Sequence, residues 1–200
     1  MENLSVESQL EQAFNESFFH YQDTGSWKPY SISESLAIYT KPSNTSKPIT
    51  ICQVLIHSTS EAVISNIQDL NNWDEWFQYK HSSKLMTQTP NFSIWYFSTK
   101  AFRGFQGREL LLAGQSRTLG SKSIFTLTSV NFASSESSFF KIKAHCYFYS
   151  FIAEPEGSNC NLTVLFHDNP KGLAFLIHSK LSKSFMKRML VLKTILEQSK

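Results

Sequence analysis

The sequence predicts an α+β fold in which a curved antiparallel sheet wraps around a long C-terminal helix. Three observations predict it. Short β-rich runs follow one another with turn residues between them, the end of the chain has helical periodicity, and an antiparallel sheet needs an apolar element to cover one face. With 200 residues, 41% of them hydrophobic and 18% charged, the chain is expected to form a single domain over residues 1–200.

The N-terminal segment is predicted to form an amphipathic helix that ends near His20. Val6, Leu10, Phe14 and Phe18 recur every four residues, with glutamates between them. This spacing places the four apolar side chains on one face of a helix.

Two strands and a second helix are predicted to follow. The β-rich runs 36–40 and 49–56 are separated by a proline- and serine-rich connector that suits a hairpin loop. A capping-box pattern at 58–61 then starts a helix, which apolar residues at helical spacing continue to Asn71.

The next part of the chain is predicted to be all strand. The six predicted strands are 79–87, 92–99, 108–117, 122–132, 139–153 and 160–167. Turn residues bound each of them and the connectors are short, so we expect an antiparallel meander. The stretches 92–99 and 145–151 of these strands are apolar on both faces, which either an internal ligand cavity or a large, filled core explains.

The stretch from Asp168 to Leu196 is predicted to be one long helix, because Asp-Asn-Pro at its beginning is a typical helix start. Its predicted apolar stripe is Leu181, Phe185, Met189, Leu192 and Leu196. Its predicted basic stripe is Lys180, Lys183 and Lys187. The basic stripe faces either acidic lipid head groups or solvent.

The chain carries no signature of a metal site or of a secreted protein. Cys52, Cys146 and Cys160 lack CxxC spacing, so we expect reduced core thiols, no metal and no cofactor. Residues 1–10 lack the basic and apolar parts of a signal peptide, and no run approaches the ~20 apolar residues of a spanning helix. We expect a cytoplasmic monomer in peripheral contact with membranes. Nucleic-acid binding is disfavoured because the net charge of +3 is small.

Three motifs together resemble the StAR-related lipid-transfer (START) domain family. They are Trp73-Asp74, Arg108-Glu109-Leu110 at the start of a strand, and the Asp-Asn-Pro-Lys-Gly sequence at 168–172. Their order and approximate spacing fit that family over residues 3–197. The resemblance implies a helix-grip fold, similar to that of Bet v 1-like proteins, around a hydrophobic tunnel that holds one lipid. It also implies that the terminal helix and the loop 100–107 act as the gate.

The gate loop has residues that suit a membrane contact. Gly104 and Gly107 allow the backbone to flex, and two phenylalanines with an arginine between them suit an interface. The predicted membrane and gate residues are Phe102, Arg103, Phe105, Lys180, Lys183 and Lys187. The alternative is a hairpin whose phenylalanines fold back onto the core.

The resemblance leaves the lipid class open. The charged pair of sterol-binding members would fall near Trp95 and Gly114, neither of which is charged. Asp74 matches the phosphate-binding Asp of members that bind phosphatidylcholine, but Leu70 stands at the position of its Arg partner and Leu110 at that of a cage tyrosine. We therefore favour a phospholipid over a sterol without naming the head group.

The predicted lipid-binding residues come from the motifs and from the strands expected to line the tunnel. They are Asp74, Trp95, Phe97, Arg108, Leu110, Leu112, Ile142, Cys146, Phe148, Leu176 and Leu181. Trp95 or Phe97 would supply one wall of a cage by a cation–π contact. Arg108 either anchors a head group or forms a structural ion pair with Glu109.

The resemblance implies a non-enzymatic carrier that moves one lipid between membranes. An enzyme of the same fold would need acid–base groups that converge in the tunnel, for which Asp74, Glu109, His145 and His167 are the candidates. A regulatory module that senses a lipid is the third possibility.

Overall fold

The computed structural model describes residues 4–23, 25–45, 47–101, 106–130, 141–169, 171 and 178–198, with the backbone alone for 178–184. The helices are α1 Val6–Gln22, α2 Ser60–Gln68 and α3 His178–Gln198, with a 3₁₀ helix at Leu70–Asp74. The strands are β1 Lys28–Ile32, β2 Ala37–Lys41, β3 Ile49–Ile56, β4 Lys80–Gln88, β5 Ser93–Thr99, β6 Arg108–Leu119, β7 Lys122–Ser129, β8 Ile142–Lys143, β9 His145–Glu156 and β10 Asn159–Asn169.

The ten strands form one curved sheet in the order β1-β2-β3-β10-β9-β7-β6-β5-β4. Neighbours along this path are antiparallel, as predicted, and the two-residue strand β8 pairs in parallel with the first residues of β6. The predicted α+β helix-grip fold is therefore confirmed. Since β3 pairs with β10, the early hairpin closes onto the last strand of the meander.

The two faces of the sheet carry different layers. The inner face packs against α2 and α3, and the predicted apolar stripe of α3 is confirmed for Phe185, Met189, Leu192 and Leu196, each at most 2% exposed. The outer face packs against α1, whose Ala13 lies in a cluster with Phe148, Ile152 and Leu165 of β9 and β10.

The first two helices are confirmed, but the second has a different N-cap from the predicted one and ends at Gln68, before the 3₁₀ helix Leu70–Asp74. Helix α1 begins after Ser5, whose hydroxyl accepts a hydrogen bond from the Ser8 amide at 3.1 Å. Helix α2 has Thr59, not Ser58, as its N-cap, because the Thr59 hydroxyl accepts from the Ala62 amide at 3.3 Å. No helix in the described ranges is long and apolar enough to cross a membrane.

Strand β1 was not predicted from the sequence. Lys28–Ile32 is an edge strand that pairs with β2 alone, and most of its side chains are exposed. An edge strand with little buried surface lacks the alternating pattern that sequence analysis detects, and Pro29 argues against a strand unless it lies at an edge or a bulge. The register shifts between Pro29 and Ser31.

The predicted start of the terminal helix at Asp168 is wrong. Asp168 and Asn169 are the last residues of β10 and pair with Cys146 and His145 of β9. The Asp-Asn-Pro sequence that starts many helices equally suits a strand end, because proline lacks the N–H that a ladder needs. The described part of the helix begins at His178.

The predicted strand 139–153 is interrupted within its described part. Residues 142–143 form β8, and β9 begins at His145. The register between β9 and β10 then shifts, since His167 pairs with Phe148 and Asp168 with Cys146, which leaves Tyr147 as an extra residue. This bulge reverses the alternation of faces, so that Cys146 faces inward and Phe148 outward.

The three cysteines confirm the prediction of core thiols. Cys52, Cys146 and Cys160 are buried and free. Burial raises the pKa of the Cys52 thiol to about 12 and that of Cys160 to about 11.

Candidate functional site

A cavity of about 450 Å³ lies between the inner face of the sheet and α3. Its apolar walls include Phe97, Leu110, Leu112, Leu127, Phe166 and Phe185. These side chains come from four strands and from α3, so the cavity is built by the curvature of the sheet rather than by one loop. This curvature keeps α3 from filling the concave side.

Trp73 forms one wall and is positioned by the 3₁₀ helix. Its indole N–H donates to the Ile67 carbonyl at 2.8 Å, which satisfies the buried polar atom of a side chain only 2% exposed. Its ring meets Phe97 and Tyr149 edge-on, with centroids 5.8 and 5.7 Å away. The Trp73 part of the sequence motif thus belongs to the cavity.

Strand β6 alternates between the cavity and the outer side. Arg108, Leu110 and Leu112 line the cavity. Gly114 is the next inward residue, and a Cβ there would overlap Phe125 and Leu127, which explains the glycine. Glu109 points away from Arg108, as successive residues of a strand do, and accepts from the Tyr96 hydroxyl at 3.4 Å.

Arg108 is held at the base of the loop 100–107. Its amide donates to the Thr99 hydroxyl at 2.9 Å, and its guanidinium donates to the carbonyls of Gln106 and, at 3.1 Å, Lys171. Arg108 is only 8% exposed, and burial lowers the pKa of its guanidinium. Its charge therefore lies at the rim of a low-dielectric space.

Arg188 of α3 is a cavity residue that sequence analysis missed. The centre of its guanidinium lies 4.6 Å from the ring centroid of Phe77, 5.4 Å from that of Phe185 and 5.9 Å from that of Tyr79. Burial is the main cause that lowers its pKa, and the charge of Asp168 acts in the opposite direction. The sequence contained one signal for this position, because a spacing of three from Phe185 places Arg188 beside the apolar stripe of the helix.

Asp168 and His145 add polar groups to the same cavity. Burial lowers the pKa of the His145 imidazole, and the charge of Lys171 lowers it further. The imidazole of His145 lies 4.6 Å from the ring of Tyr147, centroid to centroid.

The structure brings five of the predicted lipid-binding residues together around the cavity. These are Phe97, Arg108, Leu110, Leu112 and Cys146. Burial raises the pKa of the Cys146 thiol well above its ordinary value, so this group behaves as an apolar wall atom at neutral pH.

The structure places Asp74 on the surface. Its side chain is 68% exposed and forms an ion pair of 3.1 Å with Lys80, the buried residue of the pair. The Lys80 ammonium also donates to the carbonyls of Leu70 and Asn71 at 2.8 and 3.0 Å. Asp74 thus supports the end of the 3₁₀ helix.

Three further predicted residues lie away from the cavity wall. Trp95 packs in the inner core, and its indole N–H donates to the Ser93 hydroxyl at 2.9 Å. Ile142 is half-buried in β8, and its amide donates to the Gly107 carbonyl at 3.0 Å. Phe148 packs on the outer face because of the bulge at Tyr147.

The remaining predicted residues are described in part or not at all. Phe102, Arg103, Phe105 and Leu176 lie outside the described residues, as do the side chains of Lys180, Leu181 and Lys183. Lys187 is exposed on α3. Gly104 also lies outside the described residues.

Gly107 has a different role from the flexibility predicted for it. It is buried, and a Cβ at this position would overlap the carbonyl oxygen of Thr99. The glycine therefore allows the two ends of the loop 100–107 to approach each other closely.

A curved antiparallel sheet that holds a C-terminal helix over an internal cavity is the helix-grip architecture of START domains. The resemblance drawn from the three motifs is therefore confirmed at the level of the fold. No family model matches the sequence, and no curated protein matches it.

The solved structures that share this fold have low sequence identity. Human StAR-related lipid transfer protein 5 is similar at a TM-score of 0.87 and 14% identity, over 96% of this chain and 96% of that chain. Human STARD10 is similar at 0.84 and 12%, over 100% and 82% of the two chains. The Zhui aromatase/cyclase from Streptomyces sp. R1128 is similar at 0.52 and 6%, over 75% and 93%.

Proposed function

We propose that the chain binds one amphipathic lipid in its cavity, a phospholipid rather than a sterol, and transfers it between membranes. The observation that carries the proposal is the cavity itself, with apolar walls and a few charged groups. Its volume of about 450 Å³ lies within the range of ~300–1,000 Å³ that is usual for small-molecule sites. The lipid-transfer name of one structural neighbour supports the same class of ligand.

The proposed binding energy comes from burial of the hydrocarbon chain. Each CH₂ group removed from water contributes about 0.8 kcal/mol, so even one acyl chain against Leu110, Leu112 and Phe166 would be held firmly. Release then requires a gate. We assign that role to α3 and the loop 100–107, which contribute Phe185 and Lys100 to the cavity wall.

Membrane docking is assigned to the gate residues and the basic stripe of α3. Phe102, Arg103 and Phe105 would enter the interface, and Lys180, Lys183 and Lys187 would face acidic head groups. Replacing the three lysines by glutamine should slow transfer to acidic vesicles more than transfer to neutral ones. Equal rates to both, before and after the change, would contradict this docking mode.

The positions of the candidate acid–base groups make catalysis the weaker alternative. Of the four, His145 alone lines the cavity. Asp74 is exposed, whereas Glu109 and His167 bond on the outer side, to Tyr96 and to the hydroxyl of Thr45 at 2.8 Å. A non-enzymatic carrier fits this separation better than an enzyme does.

Native mass spectrometry of the protein purified from cells tests the proposal. We expect one lipid per chain, identified after denaturation, and transfer of that lipid between vesicles. A protein that arrives empty and extracts nothing from mixed lipid vesicles would refute the proposal.

The gate has its own test. A disulfide engineered between α3 and the loop 100–107 should abolish vesicle-to-vesicle transfer when oxidised, while the reduced form of the same variant serves as the matched control. Undiminished transfer by the oxidised form would remove the gating role from these two segments.

A further inference from the structure

The cavity is polarised along the direction of β6. Its inward residues Arg108, Leu110 and Leu112 follow one another at steps of roughly 7 Å, because a strand rises about 3.4 Å per residue. The cavity therefore changes from a charged side chain to apolar ones over about 14 Å. We call the Arg108 side the basic end and the side of Leu112 and Leu127 the apolar end.

Backbone pairing places further polar residues, Lys100 and His145, at the basic end. Thr99 binds the Arg108 amide, and Lys100 follows it directly. The Ala144 amide donates to the Glu109 carbonyl at 3.0 Å, which brings the neighbouring His145 to the same end.

The β9–β10 register adds Asp168 to this end. Asn169 pairs with His145, so Asp168 lies one residue away along β10. The Tyr79 carbonyl accepts from the Lys100 amide at 2.8 Å, and the centre of the Arg188 guanidinium lies 5.9 Å from the Tyr79 ring centroid, which places Arg188 at this end as well.

Cationic side chains outnumber carboxylates at the cavity wall. Among the described lining residues, Lys47, Lys100, Arg108 and Arg188 are cationic, and Asp168 is the one carboxylate. Lys47 and Arg108 are each only 8% exposed. Lys100 is exposed and therefore screened by water, but the buried Lys47 and Arg108 and the half-buried Arg188 still outnumber Asp168, so the low-dielectric space favours an anion and disfavours a cation.

Arg188 is the residue best placed to bind that anion. A guanidinium offers a planar fork of donors that matches a carboxylate or a phosphate, and the rings of Phe77, Tyr79 and Phe185 fix its plane and limit its hydration. It reaches the cavity from α3, the element assigned to the gate, so binding at Arg188 would also hold α3 closed.

We propose that the cavity takes a lipid whose head group carries a net negative charge, a carboxylate or a phosphate monoester. Arg188 binds this head group at the basic end, with Arg108 as a second cation, and the hydrocarbon chain lies toward Leu112 and Leu127. Asp168 weakens the affinity for the anion by like-charge repulsion. This inference rests on the proposed binding of an amphipathic lipid and specifies the charge of its head group; a carboxylate ligand would replace the phospholipid of that proposal by a fatty acid.

The test compares lipids that carry the same kind of monounsaturated hydrocarbon chain, by displacement of the neutral dye Nile red from the whole protein. The lipids are oleate, oleoyl lysophosphatidate, oleoyl lysophosphatidylcholine and oleyl alcohol. We expect the two anionic lipids to displace the dye at concentrations about tenfold or more below oleyl alcohol, as one charge-assisted contact implies. The ratio between oleate and lysophosphatidate tells a carboxylate ligand from a phosphate ligand.

Variants of α3 separate recognition from folding. Arg188→Gln should abolish the preference for anionic lipids while binding of oleyl alcohol persists, and Arg188→Lys should retain part of the preference. Lys28→Gln removes the same charge from an exposed residue of β1 outside the cavity lining and is the control, so it should keep the full preference. Asp168→Asn should tighten binding of the anionic lipids severalfold, as loss of one nearby like charge predicts.

Each contrary outcome has a distinct meaning. An unchanged preference in Arg188→Gln, or a wild-type protein that binds oleyl alcohol and oleate equally, overturns the head-group assignment and leaves lipid binding in place. A wild-type protein from which none of the four lipids displaces the dye overturns the proposed lipid-binding function together with it.

Discussion

The two faces of the sheet differ in packing: the outer face is closely packed, whereas the inner face borders a cavity. On the outer face, Phe148, Ile152 and Leu165 are at most 1% exposed and pack with α1 into a closed layer. On the inner face, Leu112 and Phe166 border a cavity that α3 covers. The difference shows how a sheet can keep an unfilled interior, since the outer layer stabilises the strands that the cavity needs.

The largest expected effect is a loss of stability when leucine is replaced by alanine, and this loss should differ between the two faces. Leu165→Ala should destabilise the protein by about 2–5 kcal/mol, because the closed outer layer cannot collapse around the void. Leu112→Ala should cost about 2 kcal/mol at most, since part of its side chain already borders empty space.

Urea unfolding of both variants measures the two losses. A loss for Leu112→Ala equal to that for Leu165→Ala would mean that the inner face is as tightly packed as the outer one, and the contrast between the faces would fail.

The second expected effect is a pH dependence of stability, which His20 on the outer face of the sheet should cause. Burial lowers the pKa of the His20 imidazole to about 4, with the charge of Lys41 as the next cause, partly opposed by Asp23. His20 packs near Phe148, and its Nδ1 is buried without a hydrogen bond in the described structure. Stability should therefore be constant above about pH 6.5 and decline toward pH 4, because the unfolded chain binds a proton that the folded chain excludes.

Urea unfolding at pH 7 and pH 5 measures this decline. His20→Gln should lose at most about 2 kcal/mol less than wild type between the two pH values, on the scale of 1.4 kcal/mol per pKa unit, because water partly screens a half-buried imidazole. The exposed His81→Gln is the control and should follow wild type. A His20→Gln profile as steep as that of wild type would assign the pH dependence to other groups.

The third effect concerns the Asp74 motif beside the inner layer. Lys80→Met should cost about 1–3 kcal/mol, because it leaves the carbonyls of Leu70 and Asn71 without the ammonium that binds them. Asp74→Asn should cost at most about 1 kcal/mol, since Asp74 is mostly exposed. Calorimetric melting of both variants measures these costs, and Asp74→Asn should leave lipid binding unchanged. Loss of lipid binding in Asp74→Asn would restore the head-group role that the motif suggested.

The fold was predictable where periodicity is strong. The described part of the apolar stripe of α3, from Phe185 onward, and most of the succession of strands with turn residues between them follow from residue spacing and were predicted correctly. Strand β1 was missed because an exposed edge leaves no pattern of burial, and the end of β10 was misassigned because Asp-Asn-Pro suits two different boundaries.

The site was less predictable because its residues meet only in three dimensions. The extra residue Tyr147 reverses the faces of β9, so Cys146 and Phe148 part although an ideal strand would put both on one face. Arg188 belongs to no motif. Its spacing of three from Phe185 placed it on the apolar face of α3, but nothing in the sequence showed that this part of α3 faces a cavity beside Phe77 and Tyr79. Sequence spacing describes one element at a time, whereas a cavity depends on how several elements face each other.

Trp73 has a spectroscopic consequence. The chain has four tryptophans, and of these Trp73 is the one among the described residues that line the cavity. Its indole is fixed by the bond to Ile67, so its emission responds to what enters the space beside it rather than to its own motion. The protein thus contains an intrinsic fluorophore at the cavity wall, and occupancy can be followed in unlabelled protein through a shift in emission that Trp73→Phe would remove.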